Sequence, residues 1–152
     1  MQDFVHLHVH TQYSLLDGQA SVARLVDKAM KNGMKGIAVT DHGNMFGIKE
    51  FTNYVNKKNS GPKGEVKDLK KRIAGIEAGT IECEDKEAEI AACKAKIVEA
   101  ENKLFKPIIG CEMYVARRTM DLKEGKPDQS GYHLIVLAKN ETGYHNLIKL
   151  VS

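Results

Sequence analysis

Five residues, Gly36-Ile37-Ala38-Val39-Thr40, constrain the fold of this chain more than any other stretch. A strand exposed on one face alternates apolar and polar residues. A near-continuous apolar run predicts instead a strand covered on both faces, as in a parallel sheet flanked by helices. Ser21 is placed to cap a helix running to about Asn32, with Val22, Leu25, Val26, Ala29 and Met30 as its apolar stripe and Gly33 to stop it. Gly47 to about Lys58 reads as a second helix. Pro107 to Ala116 and His133 to Ala138 read as further strands, followed by a helix from Thr142 onward. At the start, Phe4 to Val9 alternates apolar residues with His, which predicts a strand with Val5, Leu7 and Val9 on one face. Strand and helix alternate, so the predicted class is α/β.

One segment breaks that rhythm. Lys57 to Lys106 is rich in Lys, Glu and Ala and has no strand-like run. Val66, Leu69, Ile73 and Ile76 recur at steps of three and four, and Ile90, Cys93, Ile97, Ala100 or Glu101, and Leu104 do much the same. Such heptad-like seams, with Gly79-Thr80 between them, predict an antiparallel helical hairpin. Lys63, Lys67, Lys70, Lys71 and Arg72 make the first arm basic, while Glu82, Glu84, Asp85, Glu87 and Glu89 make the start of the second acidic. Antiparallel packing sets those two stretches side by side, and the charge is read as a solvated face.

At 152 residues the chain suits one domain with a modest core. Its 23 basic and 20 acidic residues leave a net charge of +3, too small to argue for a nucleic-acid partner by charge alone. No apolar run is long enough to span a membrane, and Met1-Gln2-Asp3-Phe4 lacks the basic and apolar regions of a signal peptide. Cys83, Cys93 and Cys111 are odd in number and far apart, so they are expected to stay unlinked in a reducing cytoplasm.

The chemically unusual stretch is His6-Leu7-His8-Val9-His10-Thr11. On a strand, residues two apart share a face, so His8 and His10 are placed to hold ions in one cluster, with His6 further back. Other donors fall where α/β folds collect their sites, at the carboxyl ends of strands. Asp17 follows the first strand in Leu15-Leu16-Asp17-Gly18, and His42 follows the buried run in Thr40-Asp41-His42-Gly43. Glu112 and His133 join them only if register or strand direction brings both to the same mouth. A mixed set of imidazoles and carboxylates suits zinc, manganese or iron, not the oxygen-only shells of calcium and magnesium.

Together, His8-x-His10-Thr11, Thr40-Asp41-His42-Gly43-Asn44 and Gly110-Cys111-Glu112 resemble the PHP (polymerase and histidinol phosphatase) domain. Tyr13-Ser14-Leu15-Leu16-Asp17-Gly18, Phe105-Lys106-Pro107-Ile108-Ile109-Gly110 and Thr142-Gly143-Tyr144-His145-Asn146-Leu147 narrow the resemblance to the PHP domains of the alpha-subunit family of bacterial DNA polymerase III. It covers the chain except about Lys57 to Leu104. The resemblance implies that residues 1–152 are the N-terminal part of a distorted (β/α)₇ barrel, with 57–106 inserted in it as the helical hairpin.

It further implies metal ligands at His8, His10, Asp17, His42, Glu112 and His133. The family's later ligands, a Cys or His and an Asp-x-His pair, do not occur before Ser152, so the chain is expected to be a fragment of a longer protein and inactive alone. Asp41 is then read as a carboxylate that orients an imidazole, His6 as a buried, hydrogen-bonded ring, and His145 as a surface residue. The implied chemistry is metal-dependent phosphoester hydrolysis, giving 3′ to 5′ proofreading exonuclease activity. The implied setting is DNA replication by a DNA-directed DNA polymerase, a nucleotidyltransferase whose own site uses magnesium. DNA and the other subunits of the replicative holoenzyme are the implied partners, in the cytoplasm and away from membranes. Two alternatives stay open: a non-catalytic PHP scaffold of the polymerase, and a free-standing PHP-family phosphatase.

Overall fold

The computed structural model of the chain describes residues 4–152. Met1-Gln2-Asp3, part of the stretch read above for leader features, lies outside them. Among the described residues the elements run α1 (Val22–Lys31), β1 (Gly36–Val39), α2 (Ile48–Lys58), α3 (Ser60–Glu77), α4 (Lys86–Asn102), β2 (Lys106–Val115), β3 (Tyr132–Leu137) and α5 (Glu141–Val151). A single 3₁₀ turn, Lys126–Asp128, precedes β3. This is the α/β class expected. No helix among the described residues is long and apolar enough to cross a membrane. The chain divides into two compact units, one running up to Tyr54 and resuming at Lys106–Ser152, the other Val55–Phe105.

In the first unit the sheet order is β1-β2-β3. β1 pairs parallel with β2 from Gly36↔Lys106 to Val39↔Ile109. All four β1 residues are buried, as an apolar run covered on both faces requires. α1 packs on β1 and α5 on β2. The core draws on Val22, Val26 and Ala29 of α1, Ile37, Ala38 and Val39 of β1, Ile48 and Phe51 of α2, Cys111 of β2 and Leu147 of α5. Gly33 stops α1 with φ 76°, a conformation that favours glycine. β3 runs antiparallel to β2, from Gly110↔Leu137 to Val115↔Tyr132.

The opening strand expected over Phe4 to Val9 does not form. Its residues run beside β1, with Ala38 N–H donating to the His6 carbonyl (2.9 Å) and Thr40 N–H to the Val9 carbonyl (2.9 Å). Three residues advance on one side while two advance on the other, which breaks the ladder as a bulge does. The one-face alternation fails with it, for Leu7 is 50 % exposed.

In the second unit α3 and α4 pack on one another. Ile76, Cys93 and Ala100 are buried, and Val66, Leu69, Ile73, Ile90, Ile97 and Leu104 are half-buried. The positions read as seams are therefore the covered ones. Arg72 donates to Glu89 at 2.7 Å, and Lys70 lies 3.8 Å from Glu101. Both pairs are exposed, so each adds at most about 1 kcal/mol. At the base, the buried Asn59 side chain donates to the Phe105 carbonyl (2.8 Å) and accepts the Phe105 N–H (2.9 Å), across 46 residues of sequence. Cys83, Cys93 and Cys111 are all free.

Gly110, where β2 passes from pairing with β1 to pairing with β3, allows the backbones to come this close. A Cβ there would lie 2.7 Å from the Val136 carbonyl oxygen and 2.9 Å from Thr40 Cγ2. Gly110→Ala is expected to lower stability by about 1–3 kcal/mol in denaturant unfolding, because backbone cannot yield as a flexible side chain does.

Candidate metal centre

The site is built around the exit of β1. Thr40 and Asp41, which follow it, are buried. Asp41 Oδ1 accepts the Thr11 N–H (2.6 Å) and the Ser14 hydroxyl (2.7 Å), and Oδ2 accepts the Thr11 hydroxyl (2.8 Å). Ser14 Oγ in turn accepts the His42 N–H at 3.0 Å. Asp41 was expected to orient an imidazole. Its carboxylate instead fixes the main chain and hydroxyls of the loop carrying His10 and Asp17, satisfying with three bonds a charge that burial would otherwise penalise.

Glu112 lies in β2, level with the chain leaving β1: Gly43 N–H donates to its carbonyl (2.9 Å), and its own N–H donates to the Asp41 carbonyl (3.1 Å). Its buried carboxylate is surrounded by imidazoles. Oε1 lies 2.7 Å from His133 Nδ1 and 3.9 Å from His8 Nε2. Oε2 lies 3.0 Å from His10 Nε2 and 3.4 Å from His42 Nδ1. Asp17 closes the other side, with Oδ2 at 2.8 Å from His42 Nδ1. His133 reaches this mouth because β3 is antiparallel, so its beginning lies beside the end of β2, opposite Tyr114. His8, His10, Asp17, His42, Glu112 and His133 are thus gathered in one place, and all but His8 line a cavity of about 420 Å³.

Two hydroxyls not singled out in the sequence complete the arrangement. Thr40 Oγ1 accepts the Val9 N–H (2.9 Å), donates to the Val9 carbonyl (3.3 Å) and lies 3.0 Å from His8 Nδ1. With its one proton on that carbonyl, the hydroxyl accepts from Nδ1–H and leaves the His8 Nε2 lone pair facing Glu112. Tyr114 Oη meets His42 Nε2, and its ring lies 4.9 Å from those of His42 and His133. Tyr114 stands two residues beyond Glu112 on one strand, the spacing that puts both on the same face, and that was the available signal. His6 does not join them: it is exposed and its ring packs edge-on against Phe4 at 4.7 Å. The bulged run of the segment carries it away from the buried position expected for it.

Burial raises the pKa of the Cys111 thiol, whose Sγ lies 3.4 Å from the carbonyls of Asp41 and Asn44. It packs as a neutral thiol beneath the site. Tyr13 Oη donates to Glu50 at 2.7 Å, and that carboxylate lifts the phenol above its ordinary value.

The donor set fits a divalent cation. Glu112 Oε2 and His10 Nδ1 are buried without a hydrogen bond, although His10 Nε2 and His42 Nδ1 sit close to that oxygen. Ligand atoms of His8, His10 and Glu112 lie within 4.8 Å of one another, and so do those of His10, Asp17 and His42. Each neutral imidazole also carries a bare lone pair that a carboxylate cannot meet, whereas a cation accepts lone pairs from both kinds of group.

The family model described as PHP domain matches residues 6–97 and 87–152 of the chain. The chain is 41 % identical over 152 residues to DNA polymerase III subunit alpha of Borreliella burgdorferi, and 40 % identical over 150 residues to that of Treponema pallidum, with 98 % of the chain covered in each case. The subunit of Aquifex aeolicus is 32 % identical over 155 residues. The chain spans 9 to 10 % of the length of these curated relatives.

Because the buried Asp41 carboxylate accepts the Thr11 N–H and the protons of two hydroxyls, Asp41→Ala is expected to cost about 3 kcal/mol or more in denaturant unfolding. Asp41→Asn, which keeps one acceptor, is expected to cost less.

Proposed function

Since the chain belongs to the PHP domain family, we propose that His8, His10, Asp17, His42, Glu112 and His133 hold divalent cations, zinc, manganese or iron, for phosphoester hydrolysis. The observation that carries this reading is the buried Glu112 carboxylate with four imidazoles around it and an oxygen that no hydrogen bond satisfies. A divalent cation held there supplies charge neutralisation for a phosphoester and a water acidified toward neutral pH. The chain's own residues do the positioning. Thr40 holds the His8 ring, Tyr114 meets the far nitrogen of His42, and Asp41 fixes the loop that brings Asp17 to it.

The setting we infer is the N-terminal PHP region of a DNA polymerase III alpha subunit in the cytoplasm, with DNA and the other replicative subunits as partners and 3′ to 5′ removal of nucleotides as the activity. Residues 1–152 are then the first part of a distorted (β/α)₇ barrel, and 57–106 a hairpin inserted in it. Neither His8 nor His10 is replaced, which favours metal binding over a bare scaffold.

Calorimetric titration of the chain with Zn²⁺ or Mn²⁺ tests the site. Saturable binding is expected, weakened by roughly a hundredfold or more in Glu112→Gln; tight binding that survives this substitution would sink the reading. Thr40→Val is expected to weaken binding by about tenfold and Thr40→Ser far less, since orienting hydroxyls contribute on that scale. Deleting residues 61–102 is expected to leave metal stoichiometry and affinity unchanged in the same titration.

A further inference from the structure

A second cavity, of about 520 Å³, opens beside the cluster, and Asp17, His42 and Tyr114 line its wall. Asp17 and His42 border both cavities. The rest of its lining combines Gln12, Tyr13 and Asn44 with three exposed apolar side chains, Leu15 at 81 %, Leu16 at 106 % and Phe46 at 79 %; Tyr114 itself is 56 % exposed. Apolar side chains gathered around a concavity, with a few polar groups beside them, are the usual lining of a ligand site.

The wall is held in place. Leu16 has φ 79°, a left-handed conformation that leucine rarely adopts, and strained residues of this kind collect at ligand clamps. The turn is closed by the N–H groups of Asp17 (3.0 Å) and Gly18 (2.8 Å) donating to the Ser14 carbonyl. Asn44 braces the opposite side, donating to the carbonyls of Tyr13 (3.1 Å) and His42 (3.0 Å) and accepting the Phe46 N–H (3.2 Å).

We propose that this cavity receives the base of a terminal, unpaired nucleotide whose phosphodiester lies on the cluster. The inference rests on the phosphoester reading above and adds to it the part of the substrate that is not phosphate. A molecule occupying both cavities must join an anionic phosphoester to a flat apolar group, and Phe46 and Tyr114 offer the aromatic faces on which bases stack. A sugar phosphate offers a puckered ring edged with hydroxyls, not the flat π-face that stacks on these rings.

The test uses the 152-residue chain with Mn²⁺ and a short 5′-fluorescein oligothymidylate whose last linkage is a phosphorothioate, followed by anisotropy. The comparison strand is identical but ends in an abasic sugar. Loss of the base is expected to weaken binding about five- to hundredfold. Phe46→Ala is expected to weaken the intact strand similarly while leaving the abasic strand unchanged, and Phe46→Trp to restore the difference. Equal weakening of both strands by Phe46→Ala, or equal affinity of the unsubstituted chain for both, overturns the proposal. A parallel Mn²⁺ titration separates the two levels. Metal binding with indifference to the base removes only the base pocket, whereas failure to bind metal removes the phosphoester reading and the pocket with it.

Discussion

The Asp41 carboxylate is the interaction on which the rest of the site depends. The segment before it in sequence that carries His8, His10 and Asp17 forms no strand of its own, and two backbone hydrogen bonds tie its first part to β1 and to Thr40 just beyond it. Just after Val9, the loop is anchored by a buried anion that collects the Thr11 N–H, the Thr11 hydroxyl and the Ser14 hydroxyl. A buried charge tolerates few geometries, because each missing donor leaves part of its desolvation uncompensated. That intolerance makes it a good anchor for an irregular segment. The donors on the loop inherit their positions from β1, whose own place is set by burial on both faces.

Glu112 does for the cluster what Asp41 does for the loop, with opposite consequences for satisfaction. Asp41 has three good donors and is complete within the protein. Glu112 has four imidazole nitrogens within 3.9 Å yet one oxygen left without a hydrogen bond. Two buried carboxylates lie close in the fold, one closed by hydroxyls and backbone, the other left open to imidazoles. The difference in partners separates an architectural anion from one suited to a cation.

The sequence made the regular parts legible because their signals are local. The run through Gly36 to Thr40 announced a doubly buried strand, and the seams through Ile73, Ile76 and Cys93 announced paired helices. The donors after β1 were legible for the same reason, since the carboxyl end of a parallel strand is a fixed place in the fold. What was not legible depended on pairing between distant segments. Alternation in His6 to His10 looked like a strand, but the mismatch of three residues against two opposite β1 cannot be seen without the partner. The direction of β3, which decides whether His133 belongs, is likewise a property of the pair. Asp41 was misread because a carboxylate among histidines suggests an imidazole partner, whereas its geometry favours hydroxyls and backbone. In the loop after β2, Arg118 binds Glu124 and Asp128, a local charge pairing that no periodicity signals.

The clasp between Asn59 and Phe105 bears on how such a chain closes its sheet. Asp41 and Cys111, in contact at the site, are 70 residues apart in sequence, a separation that makes the parallel β1–β2 pairing entropically remote. The clasp gathers 46 of those residues into a segment whose own ends are tied. With that segment folded, the free tether between the strands shrinks to about a third of its length, which lowers the closure entropy by ~1 kcal/mol. Beyond the clasp the two helical arms are invisible to the sheet's loop-closure problem. Their length is then a neutral variable: arms longer or shorter by whole turns leave the distance the strands must bridge the same.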